Sequence, residues 1–231
     1  MNGISITEVS YQINDTAILT AVSFKSNAKR IAVLGRNGSG KSTLSRLICG
    51  LDRPSQGTIH INGIDVYQDR RAALDTIGMI FQNPDHQIIF PTVIEEMVFG
   101  LTQMGVEKPV ADQRAMSYLA KFGKSDWRDR AISTLSQGQK KLLCLMAILA
   151  MEPKVIILDE PLAALDIPTQ RQLTTILQSL PQTLIYITHD TAPIQHYDVA
   201  IWLEQGQVVE TGSPDTVVPR VIDEMNRIEV L

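Results

Sequence analysis

Ile31-Ala32-Val33-Leu34-Gly35-Arg36-Asn37-Gly38-Ser39-Gly40-Lys41-Ser42 sets a short apolar run directly before a glycine-rich loop. A continuous apolar run suits a strand buried on both faces. From Gly35 onward the residues fit G-x-x-x-x-G-K-[ST], with Thr43 following. Such glycines let backbone N–H groups close on phosphates, and the helix expected from Lys41 to Gly50 points its positive end at them. Lys41 is expected to reach the β- and γ-phosphates of a nucleoside triphosphate, and the Ser42 hydroxyl to ligate Mg²⁺. A plain turn before a helix would need neither the complete pattern nor the strand in front of it.

The same alternation continues along the chain. Ile4 to Val9 alternates like a half-buried strand, Ile18 to Phe24 looks like a second, and Thr58 to Gly63 reads as a strand with a turn. Ile77 to Phe81, Val155 to Leu158 and Leu184 to Ile187 are short apolar runs of the buried kind, and 200–203 with 208–210 look like a hairpin. Helical periodicity marks Thr92 to Leu101, Pro109 to Phe122, Ser136 to Met151 and Pro168 to Leu180. Strands alternating with helices, with phosphate-binding glycines just after a strand, give an α/β fold with a mainly parallel sheet. The helical block at about 85–150 is then an insertion into one domain spanning 1–231.

Three further segments carry chemistry. Val155-Ile156-Ile157-Leu158 ends in Asp159 and Glu160, and carboxylates at the carboxyl end of a parallel strand face the ligand crevice. Asp159 is placed to hold Mg²⁺ through water, and Glu160 to orient or deprotonate an attacking water. An acidic helix start would also put carboxylates here, but not behind four residues of the buried type. His189 ends another buried strand on the same side and can sense a γ-phosphate. Gln82, at the end of its own strand, can add an amide oxygen to the Mg²⁺ shell. Finally, in Leu135-Ser136-Gln137-Gly138-Gln139, Ser136 can cap the following helix and Gly138 permits close backbone approach to an anion. His60, His86 and His196 have no comparable placement.

Composition narrows the class. The 231 residues are 20% charged and 44% hydrophobic, ordinary for one folded globular unit. A net charge of −4 gives no long-range attraction to nucleic acid. The longest apolar stretch, Leu142 to Met151, has ten residues, against about 20 for a transmembrane helix. The start, Met1-Asn2-Gly3-Ile4-Ser5, lacks the pattern of a signal peptide. Cys49 and Cys144 lack a C-x-x-C spacing and are expected as buried, reduced thiols. The expected location is the cytoplasmic face of the cell membrane, peripheral and held by partners.

Taken in order, GRNGSGKST at 35–43, Gln82, LSQGQ at 135–139, VIILDE at 155–160, Asp166 and His189 resemble the ATPase domain of ATP-binding cassette (ABC) proteins over essentially the whole chain. The resemblance implies a RecA-like core, an N-terminal antiparallel β subdomain and the inserted helical subdomain. It implies ATP and Mg²⁺ as ligands and a head-to-tail homodimer with two ATPs between the subunits. Ser136, Gln137, Gly138 and Gln139 would contact the ATP of the partner subunit, and Asp166 would lie in a loop crossing that interface. Binding would close the dimer and hydrolysis release it.

This sequence departs from the family pattern in places. Gln137 replaces a glycine, where its side chain either crowds the phosphate or adds a hydrogen bond. Leu162 and Ala164 stand where threonine and glycine are frequent. The adenine-stacking aromatic is replaced by Ile13, with Tyr11 two residues earlier. The stretch Phe81-Gln82-Asn83-Pro84-Asp85-His86-Gln87-Ile88, with Pro91-Thr92-Val93 and Glu95-Glu96, looks like the ATPases of energy-coupling factor (ECF) importers of vitamins or of cobalt and nickel. The resemblance implies a transmembrane coupling protein docking near 82–100, and a substrate-binding membrane protein engaged indirectly. The short segment after the hairpin looks more like the biotin than the cobalt group. A soluble ABC ATPase of the iron–sulfur assembly type is the alternative, and the 83–87 segment argues against it.

Overall fold

The computed structural model describes residues 3–228. In chain order, β1 (Ile4–Ile13) and β2 (Thr16–Ser26) form a hairpin, followed by β3 (Arg30–Leu34) and α1 (Lys41–Ile48). Then come β4 (Gln56–Ile61), β5 (Ile64–Asp65), α2 (Arg70–Thr76) and β6 (Ile77–Ile80). Three helices follow: α3 (Val93–Gln103), α4 (Lys108–Lys121) and α5 (Gln137–Ala150). The chain continues through β7 (Val155–Asp159), α6 (Ile167–Ser179) and β8 (Thr183–Thr188). It closes with β9 (Val199–Glu204), β10 (Gln207–Gly212) and α7 (Pro214–Ile228). These form two compact units: one of residues 3–77, 155–160 and 182–228, the other of 78–154 and 161–181. The mixed α/β class agrees with the alternation in the sequence.

The first unit holds an antiparallel sheet in the order β2-β1-β4-β5 and a second sheet running β10-β9-β3-β8-β7. In the second sheet β3 is parallel to both β8 and β9, and β7 is parallel to β8. Every residue of β7 is buried, as are Ile31 to Leu34 of β3 and Leu184 to Thr188 of β8. This is why the three read as unbroken apolar runs. Their register pairs Leu34 with Thr188 and Asp159 with Ile187, so the carboxyl ends of the three strands lie level. The loops that leave those ends carry Gly35 to Lys41, Glu160 and His189.

The second unit is built on α3, α4 and α5, whose apolar faces meet around Met97, Leu101, Leu119, Trp127, Leu143 and Met146. Leu173 of α6 joins them. Leu143 is fully buried in this cluster. Truncating it, Leu143→Ala, should destabilise the protein by about 2–5 kcal/mol, the lost burial plus the cavity left behind. A denaturant melt compared with the native chain measures it; a loss below about 1 kcal/mol would mean that the neighbours collapse into the space.

Two helices were not foreseen. α2 is short and is capped by Asp69, whose carboxylate accepts from the Ala72 N–H at 3.0 Å. α7 follows the β9–β10 hairpin, with Val217 and Val221 buried, and packs on β9 and β10. Its signal was masked by Pro219 inside the helix, a residue that normally argues for a break. Pro214 at the start is well suited to a first helical turn, where its missing N–H is not needed. Cys144 is buried, and burial pushes its thiol up to about 12. Cys49, at the end of α1, is only half-buried rather than buried, because it sits where that helix gives way to the surface; both cysteines are free. Among the described residues no helix is long and apolar enough to cross a membrane.

Candidate functional site

Within the first unit, the loop from Gly35 to Gly40 joins β3 to α1, and Lys41 opens the helix. Gly40 takes a left-handed conformation there, with no side chain capping α1. Lys41 is 5% exposed, and its Nζ donates to the carbonyls of Gly35 and Arg36, both at 2.8 Å. Burial pulls the Lys41 ammonium down, while Glu160, Asp159 and Glu204 act in the opposite sense. The Ser39 hydroxyl is buried without a hydrogen-bond partner, an orphaned polar atom inside the loop. The loop is braced from behind by the β9–β10 turn, since the Gly206 N–H donates to the Ser39 carbonyl at 3.1 Å.

Gly35 has a steric role that its place in the motif conceals. A Cβ there would lie 2.1 Å from the Leu203 carbonyl oxygen and 2.6 Å from Ser39 Oγ. Only glycine lets this first turn of the loop lie against β9.

Asp159 and Glu160 stand at the end of β7 as expected. Asp159 is buried; Ser42 Oγ lies 3.4 Å from its Oδ1 and Ser45 Oγ 3.3 Å from its Oδ2. Burial raises its carboxyl above the ordinary range, the two serine hydroxyls oppose this, and neighbouring Glu160 adds to the rise. A hydroxyl and a carboxylate side by side form a set of hard oxygen donors, which fits Mg²⁺. Glu160 sits at a φ of 45°, a costly left-handed conformation for a side chain of this kind. Its N–H donates to the Ile187 carbonyl at 2.9 Å, pinning that geometry to β8. Its Oε1 lies 2.8 Å from His189 Nδ1. A carboxylate oxygen accepts, so this contact is made by a proton on the imidazole Nδ1.

Ile13 ends β1 with 47% of its surface exposed, and Asn14 and Asp15 turn the hairpin at positive φ. Tyr11 pairs with Leu19 and is half-buried. Ile13 thus offers an aliphatic surface. One cavity in the first unit, of about 290 Å³, is lined by Ile4, Ser5, Lys25, Asn27 and His60 with two glycines, and by none of the loop residues 35–43.

In the second unit, Gln82 lies two residues after the end of β6. Ser136 caps α5 in a reciprocal box: its Oγ accepts from the Gln139 N–H at 3.3 Å, and the Gln139 Oε1 accepts from the Ser136 N–H at 3.0 Å. Gly138 carries a packing demand as well, since a Cβ there would meet Thr169 Cγ2 at 2.6 Å. Asp166 caps α6 by accepting from the Thr169 N–H at 2.9 Å; the Thr169 hydroxyl first, and then that N–H, hold its carboxyl below the usual range.

Sequence reasoning missed two residues that shape the loop before Asp166. Lys141 is 3% exposed and donates to the carbonyls of Pro161 at 3.0 Å and Ala163 at 2.7 Å. The Gln170 amide donates to the carbonyls of Leu162 at 3.3 Å and Leu165 at 3.0 Å. Between them lies Ala164 at a φ of 60°. The available signal was the position of Lys141 on the apolar stripe of α5, in line with Leu145 and Ile148, where a lysine must find carbonyls or carboxylates.

Comparison with known proteins bears on this arrangement. Residues 19–163 match the family model described as ABC transporter. The chain is 45% identical over 228 residues to the biotin transport ATP-binding protein BioM of Rhodobacter capsulatus, covering 99% of this chain and 97% of that protein. It is 35% identical over 220 residues to the energy-coupling factor transporter ATP-binding protein EcfA of Methanosphaera stadtmanae, covering 90% of this chain and 79% of that one. The fold matches the structure of cbiO1 from Clostridium perfringens, described as part of the ABC transporter complex cbiONQ. The TM-score is 0.81 at 29% identity, over 97% of this chain and 94% of that one.

Proposed function

The chain belongs to the ABC transporter family as an ATP-binding, ATP-hydrolysing subunit, and from that premise we propose that it powers an ECF-type importer whose cargo is biotin. The observation that carries the cargo is the near full-length likeness to the biotin transport protein. In this reading the loop from Gly35 to Thr43, with Arg36, Asn37, Gly38, Ser39 and Gly40, wraps the phosphates of ATP, and Lys41 counters their charge. Ser42 and Gln82 would ligate Mg²⁺ and Asp159 would hold it through water, supplying neutralisation of phosphate charge when the ion is bound. Glu160 takes the proton of the attacking water, and His189, tethered to it, reports on the γ-phosphate. Ile13 supports the adenine.

Ser136, Gln137, Gly138 and Gln139 serve the ATP of a second copy, with Asp166 in the crossing loop, so the working unit is a homodimer. A transmembrane coupling protein docks near 82–100, a substrate-binding membrane protein acts through it, and the chain sits peripherally on the cytoplasmic face of the membrane. The exposed Ile89, with 67% of its surface open, supports a partner on that segment. A cobalt or nickel importer is the second reading, because the stretch from Phe81 to Glu96 resembles the ATPases of importers of either kind.

Uptake of labelled cargo separates them. Cells lacking the chain should lose most uptake of labelled biotin and keep that of cobalt, with recovery on re-expression. Loss of cobalt uptake alone selects the second reading; uptake of both unchanged would sink the importer altogether.

A further inference from the structure

Gln137 departs from the glycine usual in the signature, and its side chain makes a specific contact. Its Nε2 donates to Asp85 Oδ2 at 3.1 Å, while Lys140 Nζ donates to Asp85 Oδ1 at 2.6 Å. Both oxygens of one carboxylate are therefore held by the first turn of α5. A glycine at 137 could make no such bond. Ser136 and Gln139 are closed on each other in their capping box, so Gln137 carries the contact outward.

Asp85 is itself firmly set. It lies in the short 3-10 turn Pro84–His86, whose start is fixed by the Asn83 side chain accepting from the Asp85 N–H at 3.0 Å. The Phe81 N–H donates to Gln87 Oε1 at 3.2 Å. The Ile89 and Phe90 N–H groups both donate to Glu96 Oε2 at 2.9 Å, and Glu96 is 8% exposed. The whole 83–90 segment is thus an ordered ledge within the second unit, and Asp85 is its link to α5.

We propose that Asp85 is a positioning residue for the signature turn: through Gln137 and Lys140 it fixes the start of α5 to the 83–90 ledge, so that the turn is presented in one orientation to the ATP of a second copy. The inference rests on the dimeric ATPase reading above. As a stabiliser of the fold the contact would matter little, because exposed ion pairs are weak and Asp85 is open to solvent. Its effect belongs instead to association through the turn.

The test uses the purified full chain and follows ATP hydrolysis as a function of protein concentration. Asp85→Lys and Lys140→Asp should each raise the concentration giving half-maximal turnover by about threefold to tenfold. Binding of a fluorescent ATP analogue to the dilute chain should stay within about twofold. The double exchange, which restores opposite charges, should bring the concentration dependence back to within about twofold of the native chain. Gln137→Leu, similar in size but without the donor, should shift it in the same direction as the single charge changes. Native dependence in the single variants, or a double variant as impaired as either single, would overturn the proposal. A native chain that hydrolyses no ATP at any concentration would overturn the parent reading and this inference together.

Discussion

Glu160→Gln should lower ATP turnover by about 10²- to 10⁴-fold, the range that a positioned general base contributes, while ATP binding persists. The substitution keeps the size of the side chain and removes its basicity. The backbone that aims it should survive, because the left-handed conformation is held by the Glu160 N–H on the Ile187 carbonyl, not by the carboxylate. The side chain is only 11% exposed and touches His189 Nδ1, and an amide can still accept from that ring through its oxygen. Phosphate release under saturating ATP measures the loss, and equilibrium binding of ATP checks that the phosphate loop is intact. With hydrolysis blocked, the ATP-bound form should accumulate as a dimer on size exclusion. Turnover at the native rate would remove Glu160 from the role of base.

Legibility in the sequence followed the physics of each element. β3, β7 and β8 were plain because a strand covered on both faces must be apolar throughout, and four or five such residues in a row are hard to mistake. Gly35 to Ser42, Asp159, Glu160 and His189 were legible as candidates because they stand at or just after the ends of those strands, and parallel pairing brings such ends together. α7 escaped because Pro219 interrupts the pattern that should reveal it. The Asp85 contact could not be read at all, since Gln137 and Asp85 lie 52 residues apart and no periodicity relates them. The same is true of Lys141, whose acceptors are backbone carbonyls and leave no trace in residue identity.

Gly35→Ala is expected to damage both stability and ATP binding, and more severely than Gly38→Ala. The added Cβ would stand 2.1 Å from the Leu203 carbonyl oxygen, and that atom belongs to β9, whose neighbours on both sides are paired strands. A rigid backbone atom cannot yield as a side-chain tip does, so the loop must move instead. Overpacking of this kind costs about 1–3 kcal/mol or more, which in a chain of this size lowers the melting temperature by roughly 2–4 °C per kcal/mol. The functional loss should be larger than the thermal one, because the Gly35 carbonyl also receives Lys41 Nζ at 2.8 Å. Displacing it moves the ammonium, and truncating or misplacing one partner of a charged contact costs about 2–5 kcal/mol, or roughly 30- to 5,000-fold in affinity. Gly38→Ala is the matched control: a Cβ there meets nothing within 4 Å, and only its φ of 84° resists the change. That strain is about 1–2 kcal/mol. ATP affinity and melting temperature measured on both variants separate steric from conformational demand. If Gly38→Ala proved the more harmful to ATP binding, backbone freedom at the tip of the loop, and not its seat against β9, would be what the motif protects.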